Sequence, residues 1–343
     1  MKQILNRLIN HETLTVAEAK TVLVNISTGQ YNPSQIASFL TVYMMRNITI
    51  EELFGFREAL LELCIAIDFS AYNTIDLCGT GGDGKNTINI STLASFIVAG
   101  AGQKVVKHGN RAASSKSGAA DLLEALGINI NLDGVGVEQT FAQLGIGFCF
   151  APVFHPAMRF AASARKELAT ATVFNILGPL ANPAQPQAAA IGVANERMHL
   201  VMAQVLSDRG VDGFVFRGDD GLDEITLATT TSVMTIGGGT ITNDLIDPLD
   251  FDIQRAPISD LVGGDAAENA RITTAIFAGE SGAPRDAVLL NAAAAIAAYD
   301  ARFDLNLHQR MELGVSRAIE AIDSGASTRL VKQWAELTQK LGA

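Results

Sequence analysis

The stretch Thr74-Ile75-Asp76-Leu77-Cys78-Gly79-Thr80-Gly81-Gly82-Asp83-Gly84-Lys85-Asn86-Thr87 decides the reading of this chain. It runs from a short apolar strand into a glycine-rich turn. Gly79, Gly84 and Lys85 sit at the spacing of a Walker A phosphate loop, G-x-x-x-x-G-K-[ST], but Asn86 stands where that loop needs a Mg²⁺-binding hydroxyl. Asp83 sets a like charge against phosphate, and the following helix is expected to begin near Ser91 rather than at Lys85. The turn therefore reads as a phosphate-binding device of another kind. Glycines let backbone N–H groups approach an anion closely, and a helix N-terminus beyond the turn favours negative charge.

Outward from this turn the pattern is alternating. Lys104–Lys107 is a second strand, followed by the polar loop Lys107-His108-Gly109-Asn110-Arg111-Ala112-Ala113-Ser114-Ser115-Lys116-Ser117-Gly118 and a helix from about 117 to 126. Further strands are expected at 147–150, 188–193 and 211–216, with helices at 155–168 and 196–208 between them. Strand–loop–helix repetition implies parallel βαβ units, whose ligands bind beyond the carboxyl ends of the strands. Thr226 to Ile241, with Gly237-Gly238-Gly239, predicts a hairpin, and the chain from Asp265 onward is mainly helical.

The first 65 or so residues carry helix signals only. Thr15…Glu18 and Thr49…Glu52 fit capping boxes, and Asn32-Pro33-Ser34 opens another apolar-periodic stretch. The expected fold is α/β: a small all-helical domain packed on a larger α/β domain with a mainly parallel central sheet and C-terminal helices. The helical domain spans residues 1–68, with a returning segment at about 155–184 near Pro179, Pro183 and Pro186. The α/β domain takes 73–154 and 185–343.

Bulk properties narrow the function. The chain has 343 residues, 48% of them hydrophobic, enough for a large core. A net charge of −11 disfavours a nucleic-acid partner. It does not disfavour a small polyanion held by backbone N–H groups, a few local cations and Mg²⁺. No apolar run has membrane-spanning length and the first residues lack a signal-peptide core, so no membrane partner is expected. The widely spaced Cys64, Cys78 and Cys149 give neither a metal motif nor a disulfide framework, which fits the cytoplasm.

A third stretch, Asp219-Asp220-Gly221-Leu222-Asp223-Glu224, carries adjacent carboxylates. Alone, such a run is more often a solvated loop; beside a phosphate site it reads as a Mg²⁺ site built from oxygen ligands. His108 either orients its loop or touches substrate, and His155 either caps and bonds internally or serves the site. His11, His199 and His308 are expected to have no role. There is no Ser-His-Asp or Cys-His constellation.

These motifs carry a family likeness. Asp76–Asp83, Asn89-Ile90-Ser91-Thr92, Lys107–Arg111 and Ser114–Gly118 resemble the anthranilate phosphoribosyltransferases. His155-Pro156-Ala157-Met158, Phe174–Pro183, Asp220–Glu224 and Asn291-Ala292-Ala293 extend the match beyond residue 290. The resemblance implies transfer of the phosphoribosyl group of 5-phospho-α-D-ribose 1-diphosphate (PRPP) to the amine of anthranilate, the second step of tryptophan biosynthesis from chorismate. It also implies Mg²⁺, as two ions, and a homodimer formed through the helical domain. It assigns PRPP contacts to Gly79, Gly82, Asp83, Thr87, Asn89, Ile90, Ser91, Thr92, Lys107, His108, Gly109, Asn110, Arg111, Ala112, Ala113, Ser114 and Ser115. Gly79, Asn110 and Arg165 are assigned to anthranilate, and Ser91, Asp223 and Glu224 to the metal. No residue is implied as a covalent nucleophile. Ala119 stands where a phosphate-contacting Ser is usual, leaving only its backbone for PRPP. Ala171 replaces a common Arg, Arg217 a frequent His, and Val153-Phe154 precede His155 where polar residues are frequent. Two alternatives stand beside this reading: a pyrimidine nucleoside phosphorylase-like enzyme, and a non-catalytic relative that binds nucleic acid.

Overall fold

In the computed structural model, residues 1–112 and 115–342 are described. The chain opens with four helices, α1 (Lys2–Ile9), α2 (Val16–Ser27), α3 (Pro33–Met45) and α4 (Ile50–Leu63). The starts of α2 and α4 are the expected capping boxes: Thr15 accepts from Glu18 and Thr49 from Glu52, each reciprocated. Asn32 and Gln35 form a third box ahead of Pro33. Each satisfies N–H groups that a helix cannot satisfy itself. The apolar faces close around Leu23, Phe39, Tyr43 and Phe56, all fully buried.

The α/β portion follows as β1 (Ile75–Gly79), α5 (Ile90–Gly100), β2 (Val105–Gly109), α6 (Ala119–Ala125), α7 (Gly134–Leu144) and β3 (Ile146–Phe150). The chain then makes α8 (Ala151–Phe154), a 3₁₀ turn at Pro156–Met158, α9 (Arg159–Leu168) and α10 (Val173–Leu177). It returns through β4 (Ala188–Gly192), α11 (Glu196–Asp208), β5 (Asp212–Gly218), β6 (Thr231–Gly237) and β7 (Thr240–Ile246). Four helices end the chain: α12 (Ala266–Phe277), α13 (Ala283–Asp300), α14 (Leu307–Asp323) and α15 (Ala326–Leu341).

The sheet order is β3-β2-β1-β4-β5-β6-β7. β1 to β5 are parallel, and β6 and β7 add antiparallel strands at one edge. The winding reverses between β1 and β4, the position where open α/β sheets leave a crevice beyond their carboxyl ends. One face of the sheet packs on α5 and the Ala-rich α13, buried from Ala287 to Ala298. On the other face, Ala189, Ile191 and Val215 pack in one cluster with α11, the four N-terminal helices, and Ala161, Phe174 and Leu180.

Two expected elements differ. The helix expected at 155–168 is broken, because Pro156 lacks an N–H and disfavours helical backbone at His155, which sits at φ −121°. The hairpin starts at Thr231 instead of Thr226, since Thr226 is drawn into the acidic loop by its hydroxyl, which donates to Asp220 at 2.6 Å. Gly238 and Gly239 make its turn with φ of +55° and +78°. Helix α7 had no counterpart in the sequence reading.

The close approach of the acidic loop to the sheet depends on glycine. A Cβ on Gly192 would lie 1.7 Å from the Asp223 carbonyl oxygen, a backbone atom that cannot swing aside. Gly192→Ala is therefore expected to cost about 2–3 kcal/mol or more of stability through overpacking. Urea unfolding of the two proteins measures it.

Candidate active site

At the carboxyl edge of β1, β2 and β4 lies a cleft of about 690 Å³. Its lining includes both glycine-rich loops, the acidic loop, and residues of α8, α9 and α10. The first loop leaves β1 with Thr80 N–H donating to the Gly192 carbonyl at 2.9 Å, and the Thr80 hydroxyl accepts from Ala194 N–H at 3.2 Å. Gly81, Gly82, Gly84 and Asn86 then hold positive φ. The loop is braced from behind: Ile88 N–H donates to Leu261 O at 2.8 Å, and Gly263 N–H donates to Asn86 O at 2.9 Å. Helix α5 begins only at Ile90, so Lys85 is not at a helix start and the Walker arrangement is absent.

Asp223 and Glu224 meet this loop from the segment that follows β5. Both are buried, 7% and 8% exposed, and both line the cleft. Asp223 Oδ2 accepts from Gly81 N–H at 2.6 Å, in the space left by Gly79, whose Cβ would fall 2.2 Å from that oxygen. Glu224 Oε1 accepts from Ser91 N–H at 3.2 Å. From behind, Asn291 of α13 clamps the loop, accepting from Ile225 N–H and donating to Ile225 O. Burial, followed by the charge of Asp83, pushes the Asp223 carboxyl up to about 7. Burial, with Asp223 beside it, pushes Glu224 up as well. Lys107 offsets part of this. It is 2% exposed and donates to Leu77 O at 2.5 Å, under β1, where its charge favours ionised Glu224 and Asp76.

This donor set fits a hard divalent cation. Two carboxylates with too little positive charge near them, plus Ser91 at a helix start, offer oxygen only. Among the described residues no three His, Cys, Asp or Glu side chains form a complete metal cage. That suits Mg²⁺, which is usually held by one or two carboxylates with water and substrate phosphate completing its shell.

The second loop is tied by Asp121, which accepts from Ala112 N–H at 2.9 Å and Gly118 N–H at 2.8 Å. Arg111 lines the cleft, but its guanidinium pairs with Asp121 and Glu124. Gly109, Asn110, Ala112, Ser115 and Ala119 also line the cleft. Ala113 and Ser114 lie outside the described residues. Asn89 lies between the loops: its Nδ2 donates to Ser117 O at 3.0 Å. Gly79, Gly82, Asp83, Thr87, Asn89, Ile90, Ser91 and Thr92 line the same cleft.

At the other end, Arg165 projects from α9 with its guanidinium 5.1 Å from the centre of the Phe174 ring. Burial lowers its pKa, and no carboxylate contributes. His108 Nδ1 bonds Gly178 O at 2.9 Å, which leaves the buried Nε2 without a partner; burial and His155 lower its pKa to about 3, so the ring is neutral. His155 bonds Ala181 O at 3.0 Å and holds the turn before α9. Beneath them Asn182 donates to both Asp76 and Val106 O at 2.8 Å.

Sequence reading missed Asn175, Met158 and Arg159 on the cleft wall, and Asn269 behind it. Met158 and Asn175 fall within the His155–Met158 and Phe174–Pro183 stretches, but no role was assigned to them; Arg159 and Asn269 carry no local signal and reach the site only through the tertiary fold.

With this geometry in view, the comparisons with known proteins are specific. Residues 2–64 match the glycosyl transferase family helical bundle domain, and residues 71–328 match the a/b domain of the same family. An anthranilate phosphoribosyltransferase of Rhodococcus jostii (strain RHA1) is 48% identical, covering 98% of this chain and 93% of its own. The chain belongs to the anthranilate phosphoribosyltransferase family. The crystal structure of the Thermus thermophilus member superposes with a TM-score of 0.89 at 36% identity, covering 98% of this chain and 99% of that one. The Saccharomyces cerevisiae member in complex with PRPP and Mg superposes with a TM-score of 0.88 at 26% identity, covering 98% and 97%.

The raised carboxyls make stability depend on pH in the metal-free protein. Asp223 holds its proton to about pH 7 when folded but ionises near 4 when unfolded. Its contribution is therefore fully present below pH 4 and lost as pH rises through 7. Glu224 acts in the same direction. The double variant Asp223→Asn, Glu224→Gln is expected to gain stability over the parent progressively between pH 4 and 7. Thermal unfolding in chelator across that range measures the difference.

Proposed function

We infer that this chain transfers the 5-phosphoribosyl group of PRPP to the amine of anthranilate, giving N-(5-phosphoribosyl)anthranilate and diphosphate. The observation that carries it is one cleft with a glycine-rich loop over buried carboxylates at one end and an uncompensated guanidinium at the other. Family membership at 48% identity over nearly the whole chain supports the same reaction. It is the second step from chorismate to tryptophan.

In the reaction the amine nitrogen bonds to C1 of the ribose, the C1–O bond to diphosphate breaks, and the nitrogen loses a proton. Positive charge develops on the sugar ring while negative charge leaves on the diphosphate. The glycine turn of the first loop, with Gly82 and Gly84 at positive φ, and the second loop at 109–112 suit the leaving group. Bound Mg²⁺ would screen diphosphate charge that a chain of net charge −11 could not hold alone. Asp223, Glu224 and Ser91 would hold it. The number of ions is proposed as two. Arg165 presents a planar fork to the anthranilate carboxylate, with its guanidinium carbon 5.1 Å from the centre of the Phe174 ring. Fixing the amine opposite the leaving group supplies proximity without a covalent intermediate.

The proposal extends to organisation. Residues 1–68 with 155–184 form the helical domain, and 73–154 with 185–343 the α/β domain; Ala161, Ala164 and Phe174 pack with the first four helices in a buried cluster that continues onto β4, α11 and β5. The proposal includes a homodimer through the helical domain. The net charge supports the absence of a nucleic-acid partner. Three free cysteines support a cytoplasmic location, and no helix among the described residues is long and apolar enough to cross a membrane.

Loss of anthranilate fluorescence on adding PRPP and Mg²⁺ to purified protein tests the reaction. Arg165→Ala is expected to raise the anthranilate KM by roughly 10- to 100-fold, the loss of a charge-assisted pair, with the PRPP KM near that of the parent. Unchanged constants would remove Arg165 from the acceptor site.

A further inference from the structure

Asn89 occupies the N-cap position of α5, where an Asn side chain ordinarily accepts from the N–H of the second or third helical residue. Here it makes no such bond. Its Oδ1 accepts instead from Asn269 Nδ2 at 2.8 Å and from the Ser117 hydroxyl at 3.3 Å, which uses both lone pairs. Its Nδ2 donates to Ser117 O at 3.0 Å. The second residue of the helix is Ser91, whose N–H donates to Glu224 at 3.2 Å. A cap from Asn89 would compete for that N–H.

Asn269 is placed to prevent this. It lies on α12, remote in sequence from both loops, and is 2% exposed. Its own Oδ1 accepts from Gly264 N–H at 2.9 Å, which fixes the amide so that Nδ2 faces Asn89. The segment it thereby steadies, 261–264, is the same one that braces the first loop through Leu261 O and Gly263 N–H.

We propose that Asn269 is a positioning residue for diphosphate binding: it holds Asn89 off its own helix, so that Ser91 N–H stays with Glu224 and the two loops stay in register. It touches no substrate. The proposal rests on the phosphoribosyl-transfer reading of the cleft.

Asn269→Asp separates its two bonds. The carboxylate keeps the acceptor for Gly264 N–H, loses the donor to Asn89, and preserves volume. Its expected effect is a rise of about tenfold in the PRPP KM with little change in the anthranilate KM; the buried carboxylate also lowers the melting temperature, so Asn269→Leu, which removes the same donor without adding a charge, serves as the neutral control and is expected to raise the PRPP KM alike. Calorimetric titration with Mg²⁺–diphosphate gives a readout independent of turnover and should show the same weakening. If the parent protein transfers no phosphoribosyl group, the functional reading fails, while the titration still reports on the Asn269 bond. A PRPP KM and diphosphate affinity within twofold of the parent would overturn the proposal. So would an equal rise in both KM values with a lowered melting temperature, the mark of a general folding role.

Discussion

Asp223 and Glu224 reach the sheet edge only because two facing strands end without side chains. Gly79 and Gly192 leave the space that the Asp223 carboxylate and carbonyl fill. The consequence is electrostatic. Two adjacent carboxylates are removed from water with one buried ammonium, Lys107, acting on Glu224. Burying a charge is unfavourable unless it is paired and hydrogen-bonded. The Gly81 and Ser91 amides and Lys107 meet part of that requirement, and a divalent cation brought by a diphosphate would meet the rest.

The other features of the site serve this arrangement. Asn291 pins the acidic loop from the buried α13, and Asp220 and Thr226 close it locally. The 261–264 segment supports the first loop, and Asp121 closes the second. On the opposite wall, the break at Pro156 starts α9 at Arg159, and Arg165 then lies over Phe174 within the cleft. Arg165 and the buried carboxylates thus come from different layers of the fold.

Much of this was legible in the sequence because it is local. Capping boxes declare helix starts from residues three apart, and the strand–glycine–helix pattern of 74–92 declares a βα turn at a sheet edge. Asp223 and Glu224 stood out as adjacent like charges. The direction of each side chain was less legible. Lys107 reads as a loop cation and does line the cleft, but it belongs to a buried strand whose side chains alternate, and its ammonium donates to Leu77 O under β1. Arg111 reads the same way, yet it pairs with Asp121 and Glu124 on the helix that follows. Asn269 gave no signal, since its bond to Asn89 spans most of the α/β portion of the chain. Hydrogen bonds between remote residues leave no periodicity to read.

The most direct test is calorimetric titration of PRPP into the parent protein and into Asp223→Asn, Glu224→Gln over a range of Mg²⁺ concentrations, with circular dichroism as the control for folding. PRPP affinity is expected to climb with Mg²⁺ in the parent and to lose most of that dependence in the folded double variant. Equal Mg²⁺ dependence in two folded proteins would contradict the account, because the buried carboxylates would then have no part in holding the cation.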